Sequence, residues 1–169
     1  VPNAARQKTP TLSVVNLAPK MRFNYTWSRH QTLRLDYRGS TNQPTNRQLF
    51  DGDYTNTAIA VEKGNPNLTP SFTNRIMLRY QSFNPEKASM FMIFGRFQNT
   101  LDDIARVTYT ENATMKRVST YKNVSGNMTA NARMIFNRPL RNRNFSMNGM
   151  TYAGYTRTHS FVTQREDKP

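Results

Sequence analysis

Between Lys20 and Ser28 two kinds of side chain alternate without a break, with Met21, Phe23, Tyr25 and Trp27 on odd positions and Arg22, Asn24, Thr26 and Ser28 on even ones. Successive side chains of a strand point to opposite faces, so this order predicts a β-strand with one apolar and one polar face. Residues 32–38 repeat it, Leu33, Leu35 and Tyr37 against Arg34, Asp36 and Arg38, after a short polar turn at about 28–31. Both apolar sets are odd-numbered, so matched faces need partner numbers with an even sum and a hairpin loop of odd length. With Tyr25 opposite Leu33, Arg22 stands opposite Asp36; a register shifted by two brings Asn24 there instead.

Two further hairpins follow. Phe72, Ile76, Leu78 and Tyr80 alternate with Thr73, Arg75, Met77 and Arg79, and a turn at about 82–87 leads into the return run from Ala88 to Phe97. That run is apolar on both faces, which leaves its orientation open. In the third hairpin, Val124, Gly126, Met128, Ala130, Ala132, Met134 and Phe136 alternate with Ser125, Asn127, Thr129, Asn131, Arg133 and Ile135. Its turn, at about 137–143, contains Pro139, and a strand from Asn144 to Phe161 completes it. The connections at the other end are long: residues 41–70, rich in Asn, Thr, Gly and Pro, and residues about 110–118. Alanine, leucine and glutamate, which favour helix, are scarce, whereas aromatics and threonine are plentiful. The expected fold is all-β and antiparallel, in one domain over residues 1–169.

The chain has no cysteine, so neither a disulfide framework nor a thiolate site is available. His30 and His159 stand far apart with no ligand-like spacing, and neither a metal nor another cofactor is expected. The net charge of +14 and pI of about 10.7 raise nucleic acid as a partner. The basic residues, however, are spread along the chain and form no run. Asp102–Asp103 lacks an accompanying nucleophile or histidine motif, so no enzyme is expected. Asn-x-Ser/Thr triplets such as Asn67–Thr69 follow from the Asn- and Thr-rich composition.

Mean hydropathy is −0.78, and no stretch approaches the ~20 apolar residues of a spanning helix. The opening Val-Pro-Asn-Ala-Ala-Arg does not read as a signal peptide. The strand candidates run about ten residues or more, the ~9–11 that a tilted strand needs to cross a bilayer, against ~5–6 in most soluble proteins. Tyr25, Trp27, Tyr80, Phe136 and Phe145 all lie near the short turns, as an interfacial aromatic girdle would. The opposite face would then line a hydrated interior with Arg22, Asn24, Arg34, Asp36, Arg38, Arg75, Arg79, Asn127, Asn131 and Arg133. Short turns at one end and long loops at the other fit an up-and-down membrane barrel. About six strands are fewer than the about eight of the smallest single-chain barrels, so this is expected to be a segment of a larger one.

The long loop carries a resemblance. It opens with Pro44 and Leu49 spaced as Pro-x-x-x-x-Leu and closes with Gly64, Asn65, Pro66, Asn67, Leu68, Thr69 and Pro70. This resembles TonB-dependent receptors of the large outer-membrane β-barrel branch. Asn16-Leu17-Ala18-Pro19, Leu35–Gly39, Phe83–Lys87 and Tyr121–Gly126 resemble further family motifs in the family's order. The resemblance implies a barrel of about 22 strands with an N-terminal plug, with TonB driving uptake and a surface lipoprotein as partners. It implies that 41–70 is extracellular and that turns 28–31, 82–87 and 137–143 are periplasmic. Thr69 and Ser71 depart from the family's frequent Lys and Glu, and no plug, TonB box or aromatic-ended carboxyl-terminal strand is seen. From the residues themselves, Gly64–Pro70 reads as a rigid structural turn, since its glycine widens and its prolines restrict the backbone.

The expected function is therefore a wall segment of a TonB-dependent transporter in the bacterial outer membrane, taking up an unidentified nutrient. Its partners would be outer-membrane lipid and the remaining barrel and plug. One alternative is a barrel with a structural, adhesive or secretion role. A second is a basic nucleic-acid-binding β domain, disfavoured because aromatics and arginines fall on opposite faces.

Overall fold

In the computed structural model, residues 16–111, 114–140 and 145–159 are described. Among the described residues ten strands form in chain order. They are β1 (Lys20–Ser28), β2 (Gln31–Asn42), β3 (Asp53–Asn56), β4 (Ala60–Lys63) and β5 (Ser71–Asn84). After them come β6 (Ser89–Leu101), β7 (Asp103–Thr110), β8 (Arg117–Val124), β9 (Asn127–Pro139) and β10 (Ser146–Arg157). One short helix, α1 (Asn46–Leu49), lies in the long loop.

The long strands pair in the order β1-β2-β5-β6-β9-β10, every neighbour antiparallel. In the first hairpin Arg22 pairs with Asp36 and Tyr25 with Leu33, the first of the two registers that face matching allows. A bulge between Thr26 and Ser28 absorbs the odd residue and leaves Arg29–His30 as the turn. The register also orients β6. Phe91, Ile93 and Phe97 oppose Ser82, Tyr80 and Ile76 on the apolar face, while Met92, Phe94, Arg96 and Gln98 share a face with the arginines of β5.

Several expected boundaries move. The second turn is Pro85–Ala88, not 82–87, because both strands pair as far as Asn84–Ser89. Asn84 Oδ1 accepts from Lys87 N across that turn, at 3.0 Å. In the third hairpin β9 continues through Pro139, and Leu140 N still bonds to Phe145 O at 2.9 Å. The remainder of that turn, 141–144, lies outside the described residues, as does the end of the strand expected to reach Phe161.

The larger correction concerns the long connections. Instead of about six strands joined by loops, the chain also builds a second sheet, β3-β4-β8-β7. Its central pair, β4 and β8, is parallel, with Val61 opposite Val118. The purely antiparallel expectation therefore fails here, because two antiparallel hairpins, β3–β4 and β7–β8, meet side by side. The alternation expected from Val124 onward is interrupted at Ser125–Gly126, where Gly126 takes φ of 102°, and at the facing Asp102, where φ is 51°. Beyond these two kinks the β6–β9 pair continues as the β7–β8 hairpin.

Burial separates the two sheets. Among the described residues the buried apolar side chains are Val61, Leu68, Val118 and Val124, all in or beside the small sheet, and none belongs to the large sheet. Phe23, Trp27 and Tyr155 are about half exposed, at 49%, 52% and 56%. Its outer strands β1 and β10 each have one neighbour among the described residues, so the sheet is open.

Candidate functional site

The pairing gathers the ten expected polar residues on one face of the large sheet. Arg22 and Asn24 of β1 stand opposite Asp36 and Arg34 of β2. Arg34 and Arg38 in turn face Arg79 and Arg75 of β5. Asn127, Asn131 and Arg133 of β9 oppose Thr100, Arg96 and Phe94 of β6. Asn127 lies apart from the rest, at the kink, where its amide donates to Asp103 Oδ2 (2.7 Å) and accepts from His159 N (2.7 Å).

Facing arginines repel, and neutral partners hold them in place. Arg34 Nε donates to Asn24 Oδ1 at 2.9 Å, and Arg75 donates twice to Gln98 Oε1, at 3.2 and 3.1 Å. The Arg79 guanidinium lies 5.4 Å from the centre of the Phe94 ring, a cation–π arrangement. Among the described residues, Arg22 alone of these arginines has an acid, bonding to Asp36 Oδ1 at 2.5 Å. Met92, Phe94, Arg96 and Gln98 of this face were not anticipated, hidden in a strand whose first half is apolar on both sides. Tyr152 joins them from β10, donating to Asn131 Oδ1 at 2.9 Å. Arginines and aromatics are therefore not strictly segregated, contrary to expectation.

The expected girdle residues Tyr25, Trp27, Tyr80 and Phe136 occupy the other, apolar face near the short turns. Edge-to-face contacts run Tyr25–Trp27–Tyr80–Phe91, with centroids 4.7, 6.0 and 6.2 Å apart, and Phe91 pairs with Phe136. Phe91 is the member that sequence reasoning missed. Phe145 lies just ahead of β10 and is 61% exposed.

At the other end, the remote motifs meet. Asn65 N donates to Gln48 O, and Asn65 Nδ2 to Tyr121 O at 2.8 Å. Asn67 N returns to Asn65 Oδ1 at 3.0 Å, closing the turn that Pro66 sets. Thr69 N donates to Asn123 Oδ1 and Thr69 O accepts from Asn123 Nδ2, both at 2.9 Å. A capping box between Thr45 and Gln48 anchors α1 beneath this turn. Leu68 is buried, while Pro70 leads into β5. The Asn16–Pro19 segment extends β1 along β2 through Gly39 N to Pro19 O (2.8 Å) and Thr41 N to Leu17 O (3.2 Å). Beside the turn, burial and donation to Glu62 Oε1 raise the Tyr121 pKa above its usual 10.0.

Long antiparallel strands, an apolar face without a core and an aromatic row near the turns define a membrane-wall β protein. A family model described as "Outer membrane protein beta-barrel family" matches residues 3–168, and the chain belongs to that family. Membership places it in the bacterial outer membrane. None of the curated proteins matches the chain.

Proposed function

We propose that this chain is part of the wall of a TonB-dependent outer-membrane transporter, with its apolar face toward lipid and its arginine face toward the lumen. One observation carries the transporter reading. The segments that resemble receptor motifs, Gly64–Pro70 and Tyr121–Gly126, lock together through Asn65, Thr69 and Asn123. In this reading the small sheet and its loops lie outside the cell, and the turns at Arg29–His30, Pro85–Ala88 and after Pro139 lie in the periplasm. The open edges at β1 and β10 would continue into further strands of the same barrel, since lipid leaves unpaired backbone groups unsatisfied. No catalytic role is proposed for the wall.

A barrel with a structural, adhesive or secretion role would share this wall but not the coupling to TonB. The full-length protein, extracted in detergent, should retain the periplasmic domain of TonB on an affinity column. Passage of that domain without retention would contradict active transport and favour the uncoupled barrel.

A further inference from the structure

The charge of the large sheet is one-sided. Asp36 is the one acid in its six strands, and Arg22 already engages it. In the middle of the arginine face, Arg34, Arg79, Arg96 and Arg133 surround a groove of about 390 Å³, walled also by Phe94 and Tyr152 and, at its edge, by Asp36, whose charge Arg22 offsets. None of these four forms an ion pair among the described residues. Three of them have neutral partners: Asn24 for Arg34, the Phe94 ring for Arg79 and the Met150 sulfur for Arg133, at 2.9 Å. Such contacts orient a guanidinium while leaving its charge unbalanced and most of its N–H fork unused.

The small sheet is different. There Glu62 meets both Arg47 and Arg106, at 3.2 and 3.9 Å, and Asp53 meets Lys63 at 3.9 Å. The excess positive charge is thus concentrated on the wall, around a groove in the ~300–1,000 Å³ range of small-molecule sites.

We infer that this groove binds a small anion, a carboxylate or phosphate carried on a flat apolar group. The acid group takes the forks of Arg79, Arg96 and Arg133, and the ring lies against Phe94 and Tyr152. The inference rests on the reading of this face as lumenal and adds the chemical class of what passes it.

The test is calorimetric titration of the full-length protein in detergent with phenyl phosphate, and with benzyl alcohol as its uncharged counterpart. The expected result is binding of phenyl phosphate only, weakened by added salt. Combined Arg79→Gln, Arg96→Gln and Arg133→Gln substitution should weaken it tenfold or more, and the three Arg→Lys changes less. Arg29→Gln, in the hairpin turn, should leave it unchanged, and the β-sheet circular dichroism of every variant should match the parent. Absence of binding, equal binding of both probes, or an unchanged affinity in the triple variant would overturn the inference. Gln81→Cys, on the same face, separates the failures. If a water-soluble maleimide labels it while phenyl phosphate does not bind, the ligand assignment alone falls. If it resists labelling in the membrane, the lumenal reading falls too.

Discussion

Asn123 does more than its place on a loop strand suggests. Its side chain accepts from Thr69 N and donates to Thr69 O and to Asp102 O, at 2.9, 2.9 and 2.7 Å. It therefore fastens the turn after β4 and the kink after β6 at one point. Each such bond contributes about 0.5–1.5 kcal/mol net, so Asn123→Ala should loosen the whole small sheet. The expected outcome is faster cleavage of the 43–70 segment by protease added to intact cells, with the wall strands unaffected. Gly64 supports the same turn sterically. A Cβ there would run into the Phe50 carbonyl oxygen and come within 3.0 Å of the Gln48 oxygen, both backbone atoms that cannot swing away. Gly64→Ala should produce the same protease sensitivity. Tyr121 adds a pH dependence. Because folding raises its pKa, the stabilisation from its half-buried, hydrogen-bonded phenol is full below about pH 10 and is lost as pH rises through the raised value. Tyr121→Phe should flatten the alkaline loosening of the small sheet in the same protease assay.

At the scale of elements, the large sheet was legible because side-chain parity holds along its long pairings. Met21 to Trp27 against Arg22 to Ser28 is enough to give the faces of β1, but parity allows two registers, and the choice of Arg22–Asp36 rests on the bulge and two-residue turn that the sequence does not reveal. The same logic failed in β6, where Met90 to Phe94 is apolar on both sides, and only the register against Tyr80 and Arg79 settles it. The small sheet was not legible at all. β3 and β4 have four residues each, too few for a period to stand out. The parallel pairing of Ala60 with Arg117 joins segments with no local signal linking them. Two neighbouring residues of β5 test the face assignment. Leu78→Arg puts a charge on the apolar face near mid-strand, which costs about 2–4 kcal/mol at the centre of a bilayer. Met77→Arg puts it on the arginine face. Yield of folded protein in the outer membrane should fall sharply for Leu78→Arg and much less for Met77→Arg.

For the whole molecule, the decisive contrast is between a small sheet with buried valines and a large sheet with none. A sheet of strands 9–14 residues long, with Phe23 and Trp27 half exposed, leaves its apolar face uncovered. In the proposed reading, lipid on that face and further strands at each edge complete it. The motif junction was recognisable in sequence only as separate pieces; their meeting through Asn65 and Asn123 depends on the fold. The central claim is that the apolar face meets lipid. The most direct test is a scan of single cysteines along Arg75–Gln81 in the full-length protein, reconstituted in lipid and spin-labelled. This segment contributes no cysteine of its own. Labels at positions 76, 78 and 80 should collide with oxygen dissolved in the bilayer, and labels at 75, 77, 79 and 81 with a water-soluble nickel complex. Accessibility without that two-residue period, or with the two sets exchanged, would contradict the account.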